Sequence, residues 1–218
     1  MPDDAVGKVV EGLWRFVALH PDSNSPEWTA AADAGEDGWD QLVSWWVVAV
    51  PAGLVLIDPL VEDWRALDLL LAQRGDCQGI VRTCHWHQRS VAEAASRYGV
   101  EVWAKRHPDG GASYPVDHEV RDQDQLFGSL RVLDVEREDE IAVWLGERET
   151  LVFGDAMLRR ASGELRICPD SWLQPAGGPA RLRALLRGLT PLAPRHVLVS
   201  HGPLVLGDGP ASLDAATS

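Results

Sequence analysis

Two histidines one residue apart, in TCHWHQRS (residues 83–90), follow an apolar run and precede an amphipathic one. On extended chain an H-x-H pair points to opposite faces, but where a strand ends the chain turns and both imidazoles can converge on one ion. Neutral imidazole is a good zinc or iron ligand at cellular pH. Taken alone, His85 and His87 also fit ordinary loop or core histidines. Two other apolar runs end in the same manner: VFGDAML (152–158) carries Asp155, and LVSHGP (198–203) carries His201. Polar groups at the ends of strands sit above a rigid sheet, which is where α/β folds collect ligands. The competing readings are a capping or turn aspartate for Asp155 and a hydrogen-bonded turn histidine for His201.

The positions of these residues depend on the elements around them, and the pattern is mixed α/β. Residues 12–19 (GLWRFVAL) read as a first strand, followed by a Pro-, Ser-, Asp- and Gly-rich stretch over 21–40 that is either a lid or a disordered excursion. Residues 42–50 and 54–58 read as two strands joined by Pro51-Ala52-Gly53, with Asp58 and Pro59 ending the second. A helix over 64–75 places Leu67, Leu70 and Leu71 on one face and stops at Gly75. A strand at 79–84, a helix at 90–99 with Ser90 as its N-cap, and a strand at 100–104 complete the first half. Strands at 130–135, 140–146, 150–155 and 196–202, with an amphipathic helix over 178–189, make up the second. Trp45 and Trp46 are adjacent on a strand and point to opposite faces, so one of them must meet a second layer, a pocket or a partner.

With 218 residues, 45% of them hydrophobic, the chain can bury one full core, so a single domain is expected over 1–218, with a core at about 12–202 and a frayed tail after Gly207. No apolar run reaches the about 18 residues of a membrane span and the N-terminus opens with acids, so a cytoplasmic protein is expected, with no membrane partner. Cys77, Cys84 and Cys168 are odd in number and lack C-x-x-C spacing, and read as core thiols. A net charge of −13 argues against nucleic acid, which needs a basic footprint. The partner expected is a small-molecule substrate or ligand. Ten tryptophans keep a homo-oligomer interface open as an alternative.

The order LVLIDPL, TCHWHQRS, LVFGDAML, LVSHGP resembles the metallo-β-lactamase superfamily over roughly residues 12–202. The resemblance implies an α/β, four-layer αββα sandwich of the metallo-β-lactamase type. It also implies a site of zinc or iron at one edge that hydrolyses small esters, thioesters, lactones or phosphoesters. Asp58 then stands where the family keeps an acid that orients a metal-binding histidine. The family's H-x-H-x-D-H motif reads His85-Trp86-His87-Gln88-Arg89-Ser90 here, so Arg89 and Ser90 replace two ligands of a second ion. A guanidinium offers charge but no lone pair, which leaves at most one ion, or none.

The family's third motif has lost its histidine, and counting back from Asp155 puts Glu136 near that position. Glu136 is either a replacement carboxylate ligand or part of a solvated acidic turn, since residues 136–140 are all charged. The resemblance therefore implies His85, His87, Asp155 and Glu136 as the ligands of one ion, with His201 as an acid, base or substrate contact. The other reading is a lapsed enzyme, a metal-free ligand-binding or interaction module in which Arg89 pairs with Asp155.

Overall fold

In the computed structural model, which describes residues 6–33, 40–106, 116–135, 137, 140–173 and 178–218, the Val-, Leu- and Trp-rich runs form two main sheets. The first takes seven strands in chain order: β1 (Val6–Val10), β2 (Leu13–Leu19), β3 (Leu42–Val50), β4 (Gly53–Ile57), β5 (Cys77–Arg82), β6 (Val102–Ala104) and β7 (His118–Glu119). Its early strands pair antiparallel; β4 to β7 run parallel. Parallel pairs need crossovers, and helices α2 (Trp64–Arg74) and α3 (Val91–Tyr98) supply two of them, while α1 (Pro26–Asp33) lies between β2 and β3.

The second sheet is built from β8 (Gln125–Leu126), β9 (Leu130–Asp134), β10 (Ile141–Leu145), β11 (Thr150–Val152), β14 (His196–Leu198) and β15 (Val205–Leu206). Its order is β15-β14-β11-β10-β9-β8, with β11 and β14 parallel. A separate hairpin, β12 (Met157–Arg159) with β13 (Leu165–Ile167), helices α4 (Gly178–Arg187) and α5 (Gly209–Thr217), and short 3-10 turns, one of them at His85–Gln88, are also described.

Strand alternation sorts the core into three slabs. Trp46, Val48, Val55, Ile57 and Val81 of the first sheet meet Val132, Ile141, Val143, Val152 and Leu198 of the second. The opposite face of the first sheet, with Trp45, Val47, Leu54, Leu56 and Ile80, packs on Leu67, Leu70 and Leu71 of α2 and on Val91 and Ala94 of α3. The outer face of the second sheet, with Ala142, Leu151 and Val197, packs on Leu182 and Leu186 of α4 and Leu213 of α5. The order of layers is therefore helix, sheet, sheet, helix. The paired tryptophans are explained by it: both are buried, one in each slab flanking the first sheet. Burying a tryptophan contributes up to about 5 kcal/mol from its area alone, so this dipeptide is a principal anchor of two layers at once.

Three local expectations are corrected. The stretch after Gly207 is helical: Pro210 starts α5, Leu213 is fully buried, and Arg187 of α4 donates to the Thr217 carbonyl at its end. Ser90 makes no cap bond to α3, and its hydroxyl instead accepts the Val61 N–H at 2.9 Å. Val6–Val10, unassigned from the sequence, is the edge strand beside β2. Among the described residues no helix is long and apolar enough to cross a membrane.

Candidate metal centre

Four strand termini meet at one edge of the sandwich. Asp58 follows β4, Thr83 to His87 follow β5, Asp155 follows β11, and His201 follows β14. Backbone bonds tie the two sheets together there: Ile141 N–H donates to the Thr83 carbonyl at 2.8 Å and Ser44 N–H to the Ser200 carbonyl at 2.8 Å.

Asp58 is fully buried and held at φ 51, a left-handed conformation rare outside glycine, asparagine and aspartate. Its carboxylate accepts the Thr83 N–H at 2.7 Å and the Thr83 hydroxyl at 2.5 Å, and lies 2.8 Å from His87 Nδ1. These contacts fix the ring so that His87 Nε2 faces Asp155 Oδ1 at 3.0 Å. His201 Nε2 stands 3.5 Å from the same oxygen, and the Cys84 thiol points at Asp155 Oδ2 from 3.7 Å. Asp155 is thus the hub on which one thiol and two imidazoles converge.

Electrostatics follow from this crowding. For His87, burial and the Arg89 charge oppose protonation, but Cys84, Asp155 and Asp58 outweigh them and hold the imidazole well above its ordinary value. Burial would raise the Asp155 carboxyl, yet His87 and His201 hold it well below the usual range. Asp58 is lowered in the same way against burial, by His87, Arg89 and Thr83. Burial pushes the Cys84 thiol up to about 12, so in this arrangement it is a neutral donor.

The sequence-derived site residues are distributed unevenly. Asp58, His87, Asp155 and His201 come together at this edge. His85 is buried beside them with its ring 4.2 Å from that of the exposed Trp86, but it is not one of the donors that cluster within 4.8 Å of one another. Among the described residues those are Cys84, His87 and Asp155. Glu136 lies outside the described residues. Arg89 does not pair with Asp155; its Nη1 lies 3.4 Å from the carbonyls of Ser44 and Asp58.

A third buried carboxylate sits behind the site. Glu140 accepts the Ala156 N–H at 2.6 Å and is paired with Arg137, which also donates to the Trp172 carbonyl at 3.0 Å. Burial and Asp155 raise the Glu140 carboxyl against the pull of Arg137. Gly154 is required here, because a Cβ would stand 2.4 Å from the Thr83 hydroxyl oxygen and 3.0 Å from Glu140 Oε1. Glu140 was missed because it closes a run of charges that reads as a solvated turn. Its signal was strand direction: β10 is antiparallel to β11, so the residue before β10 shares an edge with the residues after β11.

An aromatic wall stands over His201. Trp172 meets its ring edge-on at 5.5 Å, and Trp28 of α1 lies 6.4 Å away while stacking on His20 at 3.9 Å. The stretch read as lid or excursion therefore contributes a helix that covers the site. His20 Nδ1 accepts the Asp22 N–H at 3.1 Å, which requires a neutral ring with its proton on Nε2. Burial, His201 and Arg89 lower His20 to about 3.

The folded value lies below the unfolded one, so between about pH 6.5 and 3 the unfolded chain takes up a proton that the folded chain refuses. Stability is expected to fall on acidification through that window, by at most about 1.4 kcal/mol per pH unit, less any solvent screening. Urea unfolding of the wild type and His20→Phe at about pH 7, 6 and 5 measures this, and equal slopes for the two would refute it.

No family profile matches the sequence, and no curated protein matches it significantly. Solved structures do match. The chain is similar to DIM-1 metallo-β-lactamase, with TM-score 0.69, 15% identity, and coverage of 97% of this chain and 94% of that one. It is similar to a metallo-β-lactamase from Pontibacter korlensis, with TM-score 0.66, 17% identity, and coverage of 97% and 96%. A metallo-β-lactamase family protein from Thermus thermophilus matches with TM-score 0.62 and 18% identity, over 95% of this chain and 78% of that one. With the helix, sheet, sheet, helix layering and the shared edge of strand termini, these likenesses establish that the chain has the metallo-β-lactamase fold.

Proposed function

We propose that the protein is a hydrolase that works with one metal ion, held by Cys84, His87 and Asp155. The observation that carries this reading is the convergence of a sulfur, an imidazole nitrogen and a carboxylate oxygen within 4.8 Å of one another. Donors on a tetrahedral zinc ion stand roughly 3.3 to 3.6 Å apart, as bond lengths of about 2.0 to 2.3 Å require. The contacts of 3.0 and 3.7 Å about Asp155 bracket that range. The mixed S, N and O set suits zinc or iron.

When bound, such an ion supplies Lewis acidity toward a carbonyl or phosphoryl oxygen. The chain supplies the rest. Asp58 accepts the Nδ1 proton of His87 and orients the ring, so that Nε2, on giving up the proton it shares with Asp155, would offer its lone pair to the ion. His201 holds a proton position beside Asp155, where it can act as acid or base, and Trp28 and Trp172 keep water from its ring. Small esters, thioesters, lactones and phosphoesters are the proposed substrates. A cytoplasmic setting belongs to the same proposal, supported by three free cysteines.

A second reading, a metal-free binding module, is favoured by His87 itself, since carboxylates already engage both of its nitrogens. Elemental analysis of protein purified without chelator separates the two. About one equivalent of zinc or iron is expected, lost in His87→Ala and in Asp155→Ala. No ion in the wild type, even after incubation with added zinc and iron, would leave the second reading standing.

A further inference from the structure

Arg89 holds its guanidinium against the site with its bonding capacity largely unused. Nη1 makes two long contacts, 3.4 Å each, to the carbonyls of Ser44 and Asp58, while Nε and Nη2 are buried without a partner. A guanidinium stays charged at any biological pH, and leaving two of its nitrogens dry is costly. Nε and Nη2 form one edge of the planar group, whose two parallel N–H bonds match both oxygens of a carboxylate or a phosphoryl group.

Two more unpartnered polar atoms lie on the same part of the fold. Ser200 Oγ and His201 Nδ1 are both buried without a hydrogen bond. The backbone of Val43 and Ser44 bridges to Ser200 and His201, and the Ser44 carbonyl is one of those that touch Arg89. A second guanidinium, Arg15, reaches the same segment, donating from Nε to the Ser44 hydroxyl at 2.9 Å and from Nη2 to the Gly202 carbonyl at 3.4 Å. The nearby carboxylates are committed elsewhere: Asp58 to Thr83 and His87, Asp155 to His87, His201 and Cys84, Glu140 to Arg137 and Ala156. What remains at this spot is a guanidinium edge without a hydrogen-bonded acceptor. Arg89 also sits at φ 36, a strained conformation for a non-glycine residue, and such strain clusters at ligand clamps.

We propose that Arg89 is an anion-binding residue that receives, through Nε and Nη2, a carboxylate or phosphoryl group of the substrate beside the ion. This deepens the hydrolase reading and, as a statement about substrate, rests on it. The class of molecule it selects is an ester, thioester or lactone that carries a carboxylate, or a phosphoester.

Calorimetric titration of the full chain with inorganic phosphate and, separately, with acetate tests the proposal, each on chelator-treated and on zinc-loaded protein. One-to-one binding of at least one anion is expected, weakened about tenfold or more in Arg89→Gln, the loss of a bidentate charge-assisted contact. The preferred probe tells phosphoryl from carboxylate. Arg89→Lys, which keeps charge but loses the fork, serves as a second variant should the glutamine one not fold, and a loss of about threefold or more is expected there.

Binding of neither anion, or equal binding by wild type and the folded variants, would overturn the inference. Arg89-dependent binding in a chain that takes up no zinc would uphold it and remove the ion reading. Binding seen only with zinc and indifferent to Arg89 would do the reverse.

Discussion

Asp58→Ala is expected to destabilise the fold by about 3 to 5 kcal/mol, the range for removing one partner of a buried charge pair. The substitution strands three groups at once: the Thr83 N–H, the Thr83 hydroxyl and the His87 imidazole all lose their acceptor in a region closed to water. Alanine is also ill suited to φ 51, which adds roughly 1 kcal/mol. Asn tolerates that conformation and still accepts the Thr83 N–H, so Asp58→Asn is expected to cost less while losing the charge that faces His87. Urea unfolding at neutral pH measures both. A loss below about 1 kcal/mol for the alanine variant would show that the network does not support the fold.

Glu140→Ala should cost a similar amount, about 3 to 5 kcal/mol, by leaving the Arg137 guanidinium buried with its ion pair gone. The Ala156 N–H loses its acceptor too, directly beside Asp155. Because much of the cost is the stranded cation, the double variant Glu140→Ala/Arg137→Ala is expected to be more stable than Glu140→Ala alone. Denaturant midpoints of the three variants give the coupling. A double variant whose loss is the sum of the two single losses would mean that the pair is not coupled.

The four-layer order was legible through the order of the four motifs and the family they resemble, and a period of two tells which strand residues share a face. Trp45 and Trp46 left a second layer, a pocket or a partner open for one of the pair, and the alternation on β3, β4 and β10 assigns each face to its slab. The site was legible where chemistry-bearing residues follow strands, as Asp58, His87, Asp155 and His201 do. It was not legible where a residue's type had a commonplace explanation. Cys84 is as buried as any core thiol, yet its sulfur joins His87 and Asp155.

His20 and Trp28 belong to the site through the fold of a polar stretch, and no local pattern in residues 21–40 foretold that a helix there would lean over His201. An Arg89–Asp155 pair belongs only to the metal-free reading of the sequence. His87 occupies that place instead, because Asp58 orients it from behind.

The seam between the sheets bears on how the molecule assembles. Asp58, Thr83, Cys84 and His87 come from the first half of the chain and Glu140, Asp155 and His201 from the second, and the bonds Ile141 to Thr83 and Ser44 to Ser200 form only across the joined sheets. Neither half folding alone owns a complete set of donors. Contacts between residues this far apart in sequence form slowly, so docking of the two halves is expected late along the folding path. An ion of the kind proposed above would therefore act as a latch, slowing separation once the halves have met.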